Sequence, residues 1–123
     1  MKDVLIAFDV DGTLRNNTVD QSKEPVANEG IRTLLIILSK FKNVKILVWS
    51  GGGELYARQV CSSLGISEYV DRYASKEYIK CPDCTDSEEC THHVFGTKIK
   101  PDIAIDDIHE CELGAINLIV KQK

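Results

Sequence analysis

Val4-Leu5-Ile6-Ala7-Phe8-Asp9-Val10-Asp11-Gly12-Thr13 is the stretch on which the reading of this chain turns. Its first five residues make a continuous apolar run between Asp3 and Asp9, the pattern of a short strand buried on both faces of a parallel sheet. Asp9 and Asp11 then stand just past the carboxyl end of that strand. Ligands of open α/β sheets bind at that rim, because the loops diverge there and helix amino ends point into the gap. Residues two apart in an extended segment face one side, so the two carboxylates are expected to converge on one ligand. Gly12 permits a tight turn that brings backbone N–H groups near an anion, and Thr13 adds a hydroxyl. An isolated Asp-x-Asp-Gly is equally the mark of an acidic turn that solvates a strand end, so the weight of the motif depends on what recurs downstream.

Two further strand ends match it. Val44-Lys45-Ile46-Leu47-Val48-Trp49 runs into Ser50-Gly51-Gly52-Gly53 and then into a helical stretch from about Glu54 to Leu64, where Ala57, Val60, Cys61 and Leu64 share a face. A hydroxyl and free amides at that place make a phosphate cradle, although Ser50 could equally cap the helix. Asp102-Ile103-Ala104-Ile105-Asp106-Asp107 is a third buried strand with two adjacent carboxylates at its carboxyl end, oxygen ligands suited to a hard cation such as magnesium.

Together these strand ends resemble the haloacid dehalogenase-like phosphohydrolase superfamily. Its first motif, Asp-x-Asp-Gly-Thr, is matched completely from Asp9 to Thr13, its second at Ser50, and its fourth at Asp106 and Asp107. The resemblance covers the chain from Val4 to about Val120. It implies a small capless member: an α/β fold with a doubly wound parallel sheet ordered 5-4-1-2-3 in three α/β/α layers. A receiver domain is the nearest confusable fold, but its phosphoacceptor would follow the third strand, where this chain has Tyr73-Ala74-Ser75-Lys76 and no Asp.

The chemistry implied is hydrolysis of a phosphomonoester through an aspartyl phosphate. Asp9 would be the nucleophile and Asp11 the acid and then the base. Magnesium would sit between the Asp9 carboxylate, the Asp11 main-chain carbonyl and the Asp106 and Asp107 pair, while Gly12, Thr13, Ser50 and the Gly51 amide would hold the transferring oxygens. Phosphoryl transfer to another acceptor, or phosphate binding without turnover, uses the same residues. The family's third motif is a charge-balancing lysine, for which Lys76, Lys98 and Lys100 compete. Lys76 directly follows the third strand and so lies at the active rim, whereas a residue just upstream of a parallel strand begins near the opposite rim, roughly 20 Å away at about 3.3 Å per residue.

One segment departs from the minimal pattern. Cys81-Pro82-Asp83-Cys84 followed by Cys90-Thr91-His92-His93 offers a Cys-x-x-Cys pair and a Cys-x-His, which fits a tetrahedral structural zinc held by Cys81, Cys84, Cys90 and His92 or His93. A stretch this polar cannot order itself by burial. Cys61 and Cys111 read as core packing.

The remaining bounds are general. At 123 residues the chain is one domain, residues 1–123, with the candidate zinc loop at 81–93. A net charge of −4 argues against a general nucleic-acid-binding surface, leaving a phosphorylated small molecule or a phosphorylated polymer end as the expected partner. The longest apolar run, Leu34 to Leu38 inside a helix spanning about Asn28 to Phe41, is far short of a membrane span, and the first strand begins almost at once, so a cytoplasmic protein without a signal peptide is expected. The polar stretch from Leu14 to Asn28 could form a small flap. A third strand near Tyr69 to Ala74, a last helix around His109 to Ala115 and a final strand at Leu118-Ile119-Val120 complete the expected order.

Overall fold

The computed structural model describes residues 2–16, 26–80, 94–107 and 113–120. Five parallel strands form one sheet: β1 (Val4–Asp9), β2 (Val44–Ser50), β3 (Arg72–Ser75), β6 (Ile103–Asp106) and β7 (Ile116–Ile119), in the spatial order β3-β2-β1-β6-β7. Helix α1 (Glu29–Ser39) connects β1 to β2, and α2 (Glu54–Ser63) connects β2 to β3. A small antiparallel pair, β4 (Tyr78–Lys80) and β5 (Val94–Thr97), is inserted between β3 and β6. The protein is therefore of the α/β class with a parallel sheet. No helix among the described residues is long and apolar enough to cross a membrane.

Alternation along β1 divides its side chains between two cores. Ile6 and Phe8 join Leu35 of α1 and Ala57, Val60 and Cys61 of α2, so both described helices cover one face. Ala7 points the other way and meets Leu47, Trp49, Ala104 and Leu113, with Leu5, Ala74 and Ile99 around them. Among the described residues, Leu113 and Ile99 pack on that second face from outside the strands. Cys61 is a buried free thiol, as its place on the apolar face of α2 implies, and burial pushes its pKa up to about 12. Cys111 lies outside the described residues.

Two aspartates at the amino-terminal rim fix the register. Asp71 donates its N–H to the Ile46 carbonyl at 2.9 Å and accepts the Ile46 N–H on its carboxylate at 2.8 Å. Asp102 does the same with Leu5, at 2.9 and 2.8 Å. Each clamp satisfies the first buried backbone groups of a strand entering the sheet and forbids a one-residue slip, which would exchange its two faces. Phe8 is thereby level with Ile105 and Ser50 with Ser75, which sets Asp9, Asp106 and Lys76 at one height at the opposite rim.

Several element boundaries differ from expectation. The third strand starts at Arg72, because Ser67–Tyr69 is a 3-10 turn and the Asp71 clamp decides where pairing begins. The last helix expected from His109 to Ala115 does not extend over 113–115. There the Asn117 side chain accepts the N–H groups of Leu113 and Gly114 at 2.9 and 3.0 Å and donates to the Gly114 carbonyl at 2.8 Å, a local turn that competes with helix. Residues 108–112 lie outside the described set. The β4–β5 pair has no counterpart in the expected order of elements, because its two short strands lie 13 residues apart in sequence. Helix α2 ends as its sequence requires: the Ile66 N–H reaches the Cys61 carbonyl and the Gly65 N–H the Ser62 carbonyl, a Schellman motif.

Candidate active site

The carboxyl ends of β1, β3 and β6 meet in a buried charge cluster. Asp9 is the last residue of β1, Asp106 the last of β6, and Lys76 follows β3 directly. Lys76 Nζ donates to Asp9 Oδ1 at 2.7 Å and to Asp106 Oδ2 at 2.5 Å, and all three side chains are at least nine-tenths buried. Asp107, half-buried, completes a group in which one oxygen from each of Asp9, Asp106 and Asp107 lies within 4.8 Å of the others. Three carboxylates thus face one ammonium.

The electrostatics follow from that count. Burial pushes the Asp9 carboxyl up from its ordinary 3.8, the Lys76 ammonium opposes, and Asp106 and Asp107 add to the push, leaving the group at about 7. Burial alone would pull the Lys76 ammonium down, but Asp9 and Asp106 outweigh it and hold it above the usual lysine value. Asp107 is pushed up by burial and then by its hydrogen bond and charge contact with Asp106. Such a set fits a hard divalent cation, which would satisfy the uncompensated oxygens while Lys76 keeps one oxygen of each buried partner.

A pH dependence follows, with its sign fixed by the raised value. Between about 4, the unfolded value, and about 7, the folded state binds a proton at Asp9 that the unfolded chain does not. This stabilisation is complete below the unfolded value and is lost as pH rises through the folded one. Protein kept free of divalent cations should therefore lose melting temperature between pH values of about 5 and about 8, and Asp9→Asn should lack that part of the slope. Thermal unfolding of both proteins across the range reads the difference. Parallel curves would contradict the assignment to Asp9.

The rest of the first motif is arranged less simply. Gly12 holds φ of +81°, which explains a glycine at the turn, but its N–H donates to the Arg15 carbonyl at 2.9 Å and that of Thr13 to the Val10 carbonyl at 3.3 Å. Those two amides therefore close the turn instead of presenting themselves to an anion, a correction to the cradle expected here. Thr13, fully buried, turns its hydroxyl toward Asp9 Oδ2 at 3.4 Å. The Asp11 side chain does not join the three-carboxylate group; it turns toward α2, where its Oδ1 accepts the Tyr56 hydroxyl at 2.6 Å. Ser50 is buried with Oγ accepting the Gly52 N–H at 3.0 Å, and Gly51 beside it is exposed, with open space where a Cβ would stand.

The other candidate lysines lie elsewhere. Lys98 makes an exposed ion pair with Glu77 at 3.0 Å, and Lys100 is exposed. Cys81, Cys84, Cys90, His92 and His93 lie outside the described residues. Their segment is bracketed by β4 and β5, where Lys80 pairs with Val94, so its two ends are held side by side. The stretch after the first motif is bracketed similarly: the Asn16 N–H donates to the Val26 carbonyl and the Asn28 N–H to the Leu14 carbonyl, while 17–25 are outside the described set.

Two residues of the site escaped the sequence reading, Arg15 and Tyr56. Arg15 falls within the polar stretch that begins at Leu14, yet it is 5% exposed. Tyr56 sits one position before the apolar stripe of α2, and its place three residues beyond the glycine run was the available signal. Comparison of the chain with protein-family models, with curated proteins and with solved structures finds no match.

Proposed function

We propose that the protein is a magnesium-dependent phosphomonoesterase of the haloacid dehalogenase-like kind, with Asp9 as its nucleophile. The observation that carries this reading is the cluster of three carboxylates, Asp9 and Asp106 buried and Asp107 half-buried, around the Lys76 ammonium at the ligand-binding rim of a parallel sheet. A structural role alone accounts poorly for it, because apolar side chains would fill the same space at lower cost than an unbalanced set of buried charges. Counted within the large sheet, the strand order reads 5-4-1-2-3, and this doubly wound arrangement belongs to the same proposal.

In the reaction, an oxygen of Asp9 forms a bond to phosphorus as the bond to the ester oxygen breaks, and Asp11 passes a proton to the departing oxygen. Water then cleaves the acyl phosphate, with Asp11 taking its proton. Lys76 holds Asp9 in one rotamer and offsets charge on the approaching phosphate, while the Thr13 hydroxyl orients the second Asp9 oxygen. Asp9, Asp106 and Asp107 would hold magnesium, with the Asp11 carbonyl, and the ion when bound supplies the positive charge that lets two anions approach. The substrate class is a phosphorylated small molecule or polymer end.

Turnover of an aryl phosphate, titrated with magnesium, tests the proposal, together with acid quenching in the steady state to trap phosphate on the protein. Activity that requires magnesium, with phosphate recovered on Asp9, is expected. Tight magnesium-dependent binding of inorganic phosphate without any turnover would leave a binding module and overturn the enzymatic reading.

A further inference from the structure

Asp11 is not left to find its own rotamer. Tyr56, in the first turn of α2, donates its hydroxyl proton to Asp11 Oδ1 at 2.6 Å, and Arg15 NH1 donates to the Tyr56 oxygen at 2.9 Å while lying 3.7 Å from Asp11 Oδ1. The chain of donors runs in one direction only, since a guanidinium cannot accept and an ionised carboxylate cannot donate. Arg15 therefore forces the tyrosine proton toward Asp11. This orientation is held at some cost: Arg15 is 5% exposed and its Nε is buried without a partner among the described residues. A buried guanidinium left partly unsatisfied is destabilising unless it serves some other end.

The glycine run belongs to the same arrangement. A Cβ on Gly52 would stand 3.0 Å from Cδ2 and 3.4 Å from Cγ of the Tyr56 ring, so the ring lies directly against the main chain of the loop that follows β2. The absence of a side chain at Gly52 is what lets Tyr56 reach across to the end of β1. The Ser50 loop, read from sequence as a phosphate cradle, thereby also seats the tyrosine.

We propose that Tyr56, oriented by Arg15 and seated on Gly52, is a positioning residue that fixes Asp11 with Oδ1 anchored and Oδ2 as the oxygen that carries the proton to the leaving group. The inference rests on the reading of Asp11 as the acid of a phosphatase. Oδ1 accepts the tyrosine hydrogen bond whether Oδ2 is protonated or not, so the anchor persists as the proton moves from Oδ2 to the ester oxygen when its bond to phosphorus breaks. Without the hydroxyl the carboxyl can rotate, and the proton is presented in fewer productive encounters.

Tyr56→Phe removes the hydroxyl and keeps the ring. Its kcat/KM on phenyl phosphate, whose leaving group needs a proton, is expected to fall about tenfold, part of the 10²–10⁴ range of a general acid. On 2,4-dinitrophenyl phosphate, whose leaving group departs unprotonated, kcat/KM should change by less than about twofold, with melting temperature close to wild type. The ratio kcat/KM covers the steps up to leaving-group departure and so excludes the water step that both substrates share. A merely structural role would lower both rates together. Asp11→Asn is measured alongside. If Asp11→Asn removes phenyl phosphate turnover but Tyr56→Phe leaves it intact, the positioning role alone is overturned. If Asp11→Asn is itself silent on phenyl phosphate, the reading of Asp11 falls and this proposal with it. Equal losses on both substrates in Tyr56→Phe likewise overturn it.

Discussion

Asp9→Asn should lose on the order of 10⁴-fold or more in turnover and yet unfold at a higher temperature than wild type in the presence of a chelator at a pH of about 8. The first effect follows from removing the attacking oxygen's charge, which no neighbour replaces. The second follows from the charge count: Asp9, Asp106 and Asp107 around Lys76 leave the cluster with excess negative charge, and burial already pushes Asp9 up to about 7. An amide of the same shape relieves one repulsion and can still offer its oxygen to Lys76, for a gain of about 1–2 kcal/mol, typical where an active site trades stability for function. Magnesium should narrow the gap by stabilising the wild type more. Kinetics and thermal unfolding on one preparation measure both, and retention of more than about a tenth of wild-type activity would remove Asp9 from the nucleophile's place.

Lys76→Met should change stability in the opposite direction. It deletes the ammonium that bridges Asp9 and Asp106 while keeping most of the aliphatic stem, so buried carboxylates are left facing one another. Breaking a buried pair from one side costs about 3–5 kcal/mol, and magnesium should recover part of that by taking over the compensation. Activity should fall by about 10²-fold or more even at saturating magnesium, since the ammonium also meets the incoming phosphate. The contrast is the informative result: in a simple salt bridge removal of either partner destabilises, whereas here removal of the acid is stabilising. Denaturant unfolding of the two variants, with and without magnesium, reads it. Equal destabilisation would mean that the cluster is balanced by groups other than those named.

The strand ends were legible because each is a short apolar run stopped by Asp9, Ser50 or Asp106, and a buried parallel strand must be continuously apolar whatever its neighbours. Lys76 was legible for a geometric reason, its position one residue beyond β3. What remained hidden depends on contacts distant in sequence. Tyr56 meets Asp11 across 45 positions and Arg15 across 41, and no local pattern encodes such an approach. Gly52 reads as loop punctuation until the ring beside it is seen. The absence of helix at 113–115 has a similar origin, since Asn117 captures two amides of the stretch that the family resemblance assigns to a helix. The Gly12 turn is closed from within, by the Arg15 and Val10 carbonyls, so a positive φ does not by itself leave amides for a ligand.

The Asp102 clamp joins residues 97 positions apart, so it ties β6 directly to β1 across the whole length of chain that forms α1, β2, α2 and β3. β1 and β3 bring Asp9 and Lys76 to the rim, one carboxylate and one ammonium. β6 adds Asp106 and Asp107, two further carboxylates beside the same ammonium. The strand that the clamp ties to β1 is thus also the one that charges the site. A cation bound there would hold β6 to β1 from the opposite rim, so occupancy of the site and attachment of that strand would be linked.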